Sequence, residues 1–206
     1  MIVEVFTAGP LATHAILLGC SKTKAALVVD VPQGVVPSLL QRVQEELLFP
    51  KMILLTHSHW DHIADAAQLK KEWGVPLYLH EADRENLESP GSDGIPLWSP
   101  VTPTHPDGFV KDGDKLQLGE VEIVVLHTPG HTPGGVCYWI PQEQLLVSGD
   151  TLFKGGMGNL SLPTAQPEQM AQSLGRLSQF SQDTIVLPGH GERTTIGTEK
   201  WLQKYL

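Results

Sequence analysis

Between Thr56 and His62 the chain reads Thr-His-Ser-His-Trp-Asp-His, which sets His57, His59, Asp61 and His62 within six positions. Imidazole nitrogen and carboxylate oxygen are the donors a borderline divalent ion takes, and a hydrolytic site must leave one position open for water. His57 and His59 alternate at the end of an apolar run, so a bend in the chain turns both toward one ion. Asp61 and His62 continue the turn toward a neighbouring position. Three more ligand-type residues lie beside glycine: His131 in Pro129-Gly130-His131, Asp150 in Ser148-Gly149-Asp150-Thr151 and His190 in Pro188-Gly189-His190. Glycine lets a backbone close on a buried site. A lone histidine is most often structural or solvated, but this many His and Asp side chains in strand-end loops point to a metal centre. A carboxylate such as Asp150 can address two ions at once, and paired ions activate a water between them. Structural zinc sites are usually closed and cysteine-rich, whereas this set contains no cysteine, which favours an open site over a binding module held by structural metal.

The elements that must position these residues can be read from apolar patterning. Strands are expected at Ile2–Phe6, His14–Leu18 and Ala25–Asp30, and a helix over Pro37–Leu48, whose Leu39, Leu40, Val43, Leu47 and Leu48 form one face. Lys51–Leu55 reads as a strand running into the histidine segment, and Ile63–Trp73 as a helix closed by Gly74 and Pro76. That is a strand–loop–helix unit with the polar cluster on the loop, where open α/β sheets place ligands. Leu77–Leu79 predicts a strand and Ala82–Glu88 a short helix. The Pro/Gly-rich stretch from Ser89 to Gly108 is too long for an ordinary connection and reads as a covering or mobile loop. Antiparallel strands follow at Lys115–Leu118, Val121–His127, Gly135–Ile140 and Gln144–Val147. Then come a glycine-rich loop over Asp150–Thr164, a helix over Pro167–Gln179, a strand at Thr184–Leu187 and a closing helix over Thr198–Leu206. The expected architecture is a layered α/β sandwich forming one domain over residues 1–206.

With 206 residues and 41% hydrophobic content the chain can bury a sizeable core without staples. Its formal charge of −9, from 23 acidic and 14 basic side chains, opposes a nucleic-acid surface. No window approaches a membrane span and the start lacks a signal-peptide pattern, so a cytoplasmic protein without a membrane partner is expected. Cys20 and Cys137 lie far apart in apolar runs and read as buried free thiols.

His57-Ser-His59-Trp-Asp61-His62 resembles the H-x-H-x-D-H signature of the metallo-β-lactamase fold superfamily. Thr128–Gly134 and Ser148–Phe153 look like its glyoxalase II (hydroxyacylglutathione hydrolase) branch, and Pro188–Gly191 with Thr194–Gly197 its short single-domain bacterial members. The resemblance implies an αββα four-layer sandwich of mixed sheets flanked by helices. It implies one metal on His57, His59 and His131, a second on Asp61, His62 and His190, and Asp150 bridging, with Asp30 as support beneath them. It further implies two divalent ions, zinc first, with iron or manganese as alternatives. The chemistry implied is hydrolysis of a small-molecule acyl substrate, a thioester such as S-lactoylglutathione or another hydroxyacylglutathione, by metal-held hydroxide. Asp150 and Asp61 are the implied catalytic carboxylates, Asp61 orienting the nucleophile. A mononuclear-iron persulfide dioxygenase and a lactonase share the signature and remain alternatives.

On the substrate side the sequence departs from glutathione-hydrolysing relatives. Asn159 stands where they usually carry a basic residue and Glu192 where a tyrosine is common, and the C-terminal helical segment that completes their glutathione pocket is not expected here. Lys154 and Asn159 are therefore only weak candidates for substrate contact. Trp60 reads as a wall of the site or as ordinary packing, and Trp98 as a cover over substrate or a loop staple. Ser148 reads as support for the loop of Asp150, His14 as packing near the site, His127 as a strand end, and His80 and His105 as surface or loop residues.

Overall fold

Runs of Val, Ile and Leu broken by turn residues build two sheets. In the computed structural model, which describes residues 1–205, the first sheet orders its strands β1 (Ile2–Ala8), β2 (Thr13–Gly19), β3 (Ala25–Val29), β4 (Phe49–Leu54), β5 (Leu77–His80) and β6 (Gly108–Val110) from one edge to the other. The second does the same with β7 (Lys115–Leu118), β8 (Val121–His127), β9 (Val136–Ile140), β10 (Leu145–Gly149), β11 (Ile185–Pro188) and β12 (Thr194–Thr195). Both sheets are mixed. In the first, β1 to β3 run antiparallel and β3 to β6 parallel. In the second, the one parallel pairing is β10 with β11.

Strand side chains alternate between faces, and β2 is apolar on both. Ala15 and Leu17 pack outward against Val36 and Leu39 of α1 (Val36–Glu45), Ile63 of α2 (Trp60–Ile63) and Leu69 of α3 (Ala66–Trp73). Ile16 and Leu18 pack inward, in one cluster with Ile123, Val125 and Tyr138 of the second sheet. Beyond that sheet, Leu126, Cys137 and Leu146 lie under Met170 and Leu174 of a later helix at Pro167–Leu177. The layers are therefore helix, sheet, sheet, helix, the αββα sandwich the sequence implies. Cys20 and Cys137 are both buried and free. Among the described residues no helix is long and apolar enough to cross a membrane.

Several elements differ from expectation. The helix expected to reach Leu48 stops at Glu45, because Leu47 turns left-handed (φ 53°) into solvent and the Leu48 N–H folds back onto the Val43 carbonyl at 2.9 Å. That turn lets β4 begin at Phe49. The helix expected over Ile63–Trp73 is two helices, and the first starts earlier, at Trp60. The break falls at Ala64–Asp65, where the Asp65 N–H bonds the Val31 carbonyl (3.0 Å) and its carboxylate accepts from Gly34 N–H (2.7 Å). Ala82–Glu88 resolves into a 3-10 turn at Glu81–Asp83 and the helix α4 (Arg84–Glu88), so the Pro167–Leu177 helix is α5. Two short strands were not anticipated: β12, and β6, which begins where the Pro/Gly-rich stretch ends at Gly108 and whose pairing with β5 supplies what local propensity lacks. The closing element is a 3-10 helix at Lys200–Tyr205; the expectation for Leu206 lies outside the described residues.

Candidate metal centre

Each ligand-type residue follows the C-terminal end of a strand. His57, His59, Asp61 and His62 follow β4, His131 follows β8, Asp150 follows β10 and His190 follows β11. The backbone divides the work within the first segment. His57 and His59 lie on non-helical chain, while Asp61 and His62 ride on α2, whose first turn is set by the His62 N–H bonding the His59 carbonyl at 2.9 Å.

All seven residues come together. His57, His59 and His131 form one group whose ligand atoms lie within 4.8 Å of one another, and Asp61, His62 and His190 form another. A third group of His57, His62 and Asp150 links the two. Asp150 stands between them, with Oδ1 at 3.3 Å from His62 Nε2 and Oδ2 at 3.4 Å from His131 Nε2. The structure thus brings together the residues of both ligand sets that the sequence resemblance implies, with Asp150 close to each. Space here is tight. A Cβ on Gly189 would overlap Asp150 Oδ1 and come within 2.7 Å of His62 Cε1. Gly189→Ala is therefore expected to lower metal bound per chain with little loss of helix and strand content; elemental analysis together with circular dichroism checks this.

The residues fit divalent ions. Nε2 of His57, His59 and His131 and Oδ1 of Asp150 are buried without a hydrogen-bond partner among the described residues. Buried polar atoms in native proteins are rarely left so, and a bound ion accounts for such a group. In four of the five histidines the opposite ring nitrogen is tied outward. His62 Nδ1–H donates to Asp30 Oδ2 (2.8 Å), His131 Nδ1–H to the Asn159 carbonyl (3.0 Å) and His190 Nδ1–H to the Leu11 carbonyl (3.1 Å). His57 Nδ1–H reaches Thr56 Oγ1 (3.0 Å), whose hydroxyl donates to Asp30 Oδ2 (2.7 Å). A hydrogen bond on one nitrogen selects the tautomer that offers the other to a metal.

Electrostatics separates the two triads. Burial, then neighbouring imidazoles, pushes His57 well below the ordinary histidine value; burial takes His59 down to about 3 and also lowers His131. These rings stay neutral, as ligands must. Burial also opposes charge on His62 and His190, but carboxylates overcome it (Asp61, Asp150 and Asp30 at His62; Asp61 and Asp150 at His190), and both are raised. Burial would raise Asp61 and Asp150, yet His62 and the other imidazoles hold both down.

Three further residues complete the site without a spacing signal in the sequence. Thr13 Oγ1 donates to Asp61 Oδ2 at 2.6 Å. Buried Asp83 accepts from Ser58 N–H (3.0 Å), Thr132 Oγ1 (2.9 Å) and Gly134 N–H (2.6 Å), tying the His57–His59 segment to the His131 loop. Asn86 donates its amide to the Ser58 carbonyl at 2.5 Å. Ser148 supports its loop as expected, its hydroxyl donating to the Leu152 carbonyl (2.8 Å). His14 is buried and donates from Nδ1 to the Pro188 carbonyl, while His105 is exposed beside Glu88. His80 is not a plain surface residue: half-buried, it stacks on His127 with ring centroids 4.0 Å apart.

The centre opens into a cleft of about 380 Å³ walled by Leu11, Trp60, Ile95, Trp98, Phe153 and Leu162. Asn159 lies on this cleft, but its side-chain oxygen accepts from Ser161 N–H (2.8 Å). Lys154 does not line it and is paired with Glu192. A larger cleft of about 490 Å³ opens between β1 and β11, and none of the seven ligand-type residues lines it.

An αββα sandwich with a binuclear His/Asp centre at its strand ends defines a metallo-hydrolase. The chain belongs to the metallo-beta-lactamase superfamily, which it matches over residues 8–190. It is 35% identical over 189 residues to the hydroxyacylglutathione hydrolase GloC of Haemophilus influenzae, covering 89% of this chain and 88% of that protein. It is 33% identical over 195 residues to the probable metallo-hydrolase YqgX of Bacillus subtilis, covering 93% and 91%. Among solved structures it is similar to BLEG-1, described as a B3 metallo-beta-lactamase, with TM-score 0.87, 33% identity and coverage of 98% of this chain and 99% of that one. It is also similar to TTHA1623 in a di-iron-bound form, with TM-score 0.81, 36% identity and 96% of each chain covered.

Proposed function

We propose that this protein hydrolyses the activated acyl group of a thioester at the paired His/Asp centre. The observation that carries the reading is the placement of Asp150 between two triads that open on one cleft. His57, His59 and His131 would hold one ion, Asp61, His62 and His190 a second, and Asp150 both. Bound there, divalent ions (zinc first, iron or manganese by availability) supply a water of lowered pKa and polarisation of the acyl carbonyl. The chain's own residues do the rest. Asp61, fixed by the Thr13 hydroxyl, lines the cleft and orients the attacking water by accepting its hydrogen bond. Trp60 and Phe153 limit bulk water around the reacting bond. The likeness to GloC supports S-lactoylglutathione or another hydroxyacylglutathione as the named candidate. The likeness to BLEG-1 supports adding a β-lactam to the compounds tried.

The test is purified protein loaded separately with zinc, manganese or iron. It is assayed with S-lactoylglutathione, other thioesters, a lactone and a β-lactam, and for oxygen uptake with glutathione persulfide. Metal-dependent thiol release is expected. Oxygen uptake with one iron per chain, or no thiol release from any thioester, would overturn the reading.

A further inference from the structure

The cleft over the centre has apolar walls and, among the described residues, no lysine or arginine side chain. Leu11, Trp60, Ile95, Trp98, Phe153 and Leu162 face it, and its charged groups all belong to the metal centre. Lys154 and Arg193 line a separate cleft with Thr194, Thr195 and Thr198, and Lys154 is already paired with Glu192. The carboxylates of a glutathione moiety would therefore meet no cation at the walls, on a chain of net charge −9. Long-range charge would oppose them as well.

The covering segment is built to stay over the site. Asn86 donates to the Ser58 carbonyl (2.5 Å) and to Asp93 Oδ2 (2.9 Å), and its side-chain oxygen accepts from Gly91 N–H (2.9 Å). The Asp93 carboxylate in turn accepts from Ile95 N–H (2.9 Å). The loop bearing Ile95 and Trp98 is thus anchored to the backbone between His57 and His59. Trp60 is buried, yet Trp98, with its ring centroid 5.8 Å away, is 67% exposed. A large aromatic left open beside an apolar cleft offers apolar surface to a ligand seated there.

We infer that the cleft takes a thioester with an apolar acyl group and an uncharged leaving group, and that Trp98 sets the preference for acyl length. This rests on the thioester reading above. In the reaction the water oxygen bonds to the acyl carbon and the C–S bond breaks with its electron pair going to sulfur. Sulfur takes up one proton of the water, and the other is released as the product acid ionises.

The test compares S-acyl-N-acetylcysteamine thioesters from acetyl to decanoyl with S-lactoylglutathione on the metal-loaded protein. A fully buried methylene is worth about fourfold, so even partial burial should raise kcat/KM more than about tenfold from acetyl to octanoyl. Trp98→Ala should flatten that rise. A second readout needs no turnover: the non-hydrolysable thioether S-decyl-N-acetylcysteamine should quench tryptophan fluorescence saturably, and S-decylglutathione should bind more weakly. The inference falls if S-lactoylglutathione is hydrolysed faster than every neutral thioester, an outcome that leaves the thioester reading standing. It also falls if the acyl series is flat and the thioether does not bind. Binding of the thioether without hydrolysis of any thioester would sink the thioester reading while supporting the apolar preference of the cleft.

Discussion

Asp150→Ala is expected to lower turnover by more than about a hundredfold and to lower the metal bound per chain; even the outer partners of metal ligands cost 10–100-fold when removed. The carboxylate is the group that faces both triads, toward His62 through one oxygen and His131 through the other. Without it the centre keeps its imidazoles but loses one of its two carboxylates. The backbone that carries Asp150 is held by bonds the substitution leaves alone. The Asp150 carbonyl accepts from Gly158 N–H (3.0 Å), the Gly149 carbonyl accepts from Gly189 N–H (2.8 Å), and Ser148 braces Leu152. The variant should therefore fold, and circular dichroism should match the parent. Elemental analysis and steady-state kinetics read the effect itself. A variant that is active and carries the parent's full metal content would overturn the bridging role proposed for Asp150.

The clustering of the candidate ligand residues was legible because their geometry is encoded locally. His57 to His62 are consecutive enough for one strand end and one helical turn to gather them, and His131, Asp150 and His190 announce themselves by adjacent glycine. Asp83 shows why the rest was hidden. In Glu81-Ala-Asp83-Arg-Glu85 it reads as one more charge on a solvated turn. Only tertiary folding buries it beneath Ser58, Thr132 and Gly134, residues from two distant loops. Thr13 and Thr56 are likewise ordinary strand-end threonines until the sheets bring their hydroxyls to Asp61 and Asp30. The fold was legible at the level of layers, because β2 and β3 are apolar on both faces. It was less so at edges such as β6 and β12, where a partner strand rather than side-chain patterning makes the strand. The apolar Leu47 misled the helix reading for a related reason: periodicity records apolar character, not the left-handed turn that ends α1.

Asp30→Ala is expected to cost about 3–5 kcal/mol, the range for removing one partner of a buried ionic pair, against total stabilities of about 5–15 kcal/mol. Asp30 is 2% exposed and accepts three hydrogen bonds, from Thr56 N–H (2.7 Å), Thr56 Oγ1 (2.7 Å) and His62 Nδ1–H (2.8 Å). Alanine leaves the His62 ring and the Thr56 amide facing a void, each with its desolvation cost uncompensated. It must also hold φ near 62°, a left-handed conformation that aspartate and asparagine tolerate better than alanine. The loss should reach the metal centre, because Asp30 orients His62 directly and His57 through Thr56. Metal affinity should drop about 10–100-fold. Asp30→Asn separates the two effects: it keeps the backbone conformation and one acceptor oxygen, so it should stay folded while still binding metal more weakly. Denaturant midpoints for both variants, with metal titrations on Asp30→Asn, decide the matter. If Asp30→Ala unfolded at the parent's midpoint, this carboxylate would not be what braces the centre from below.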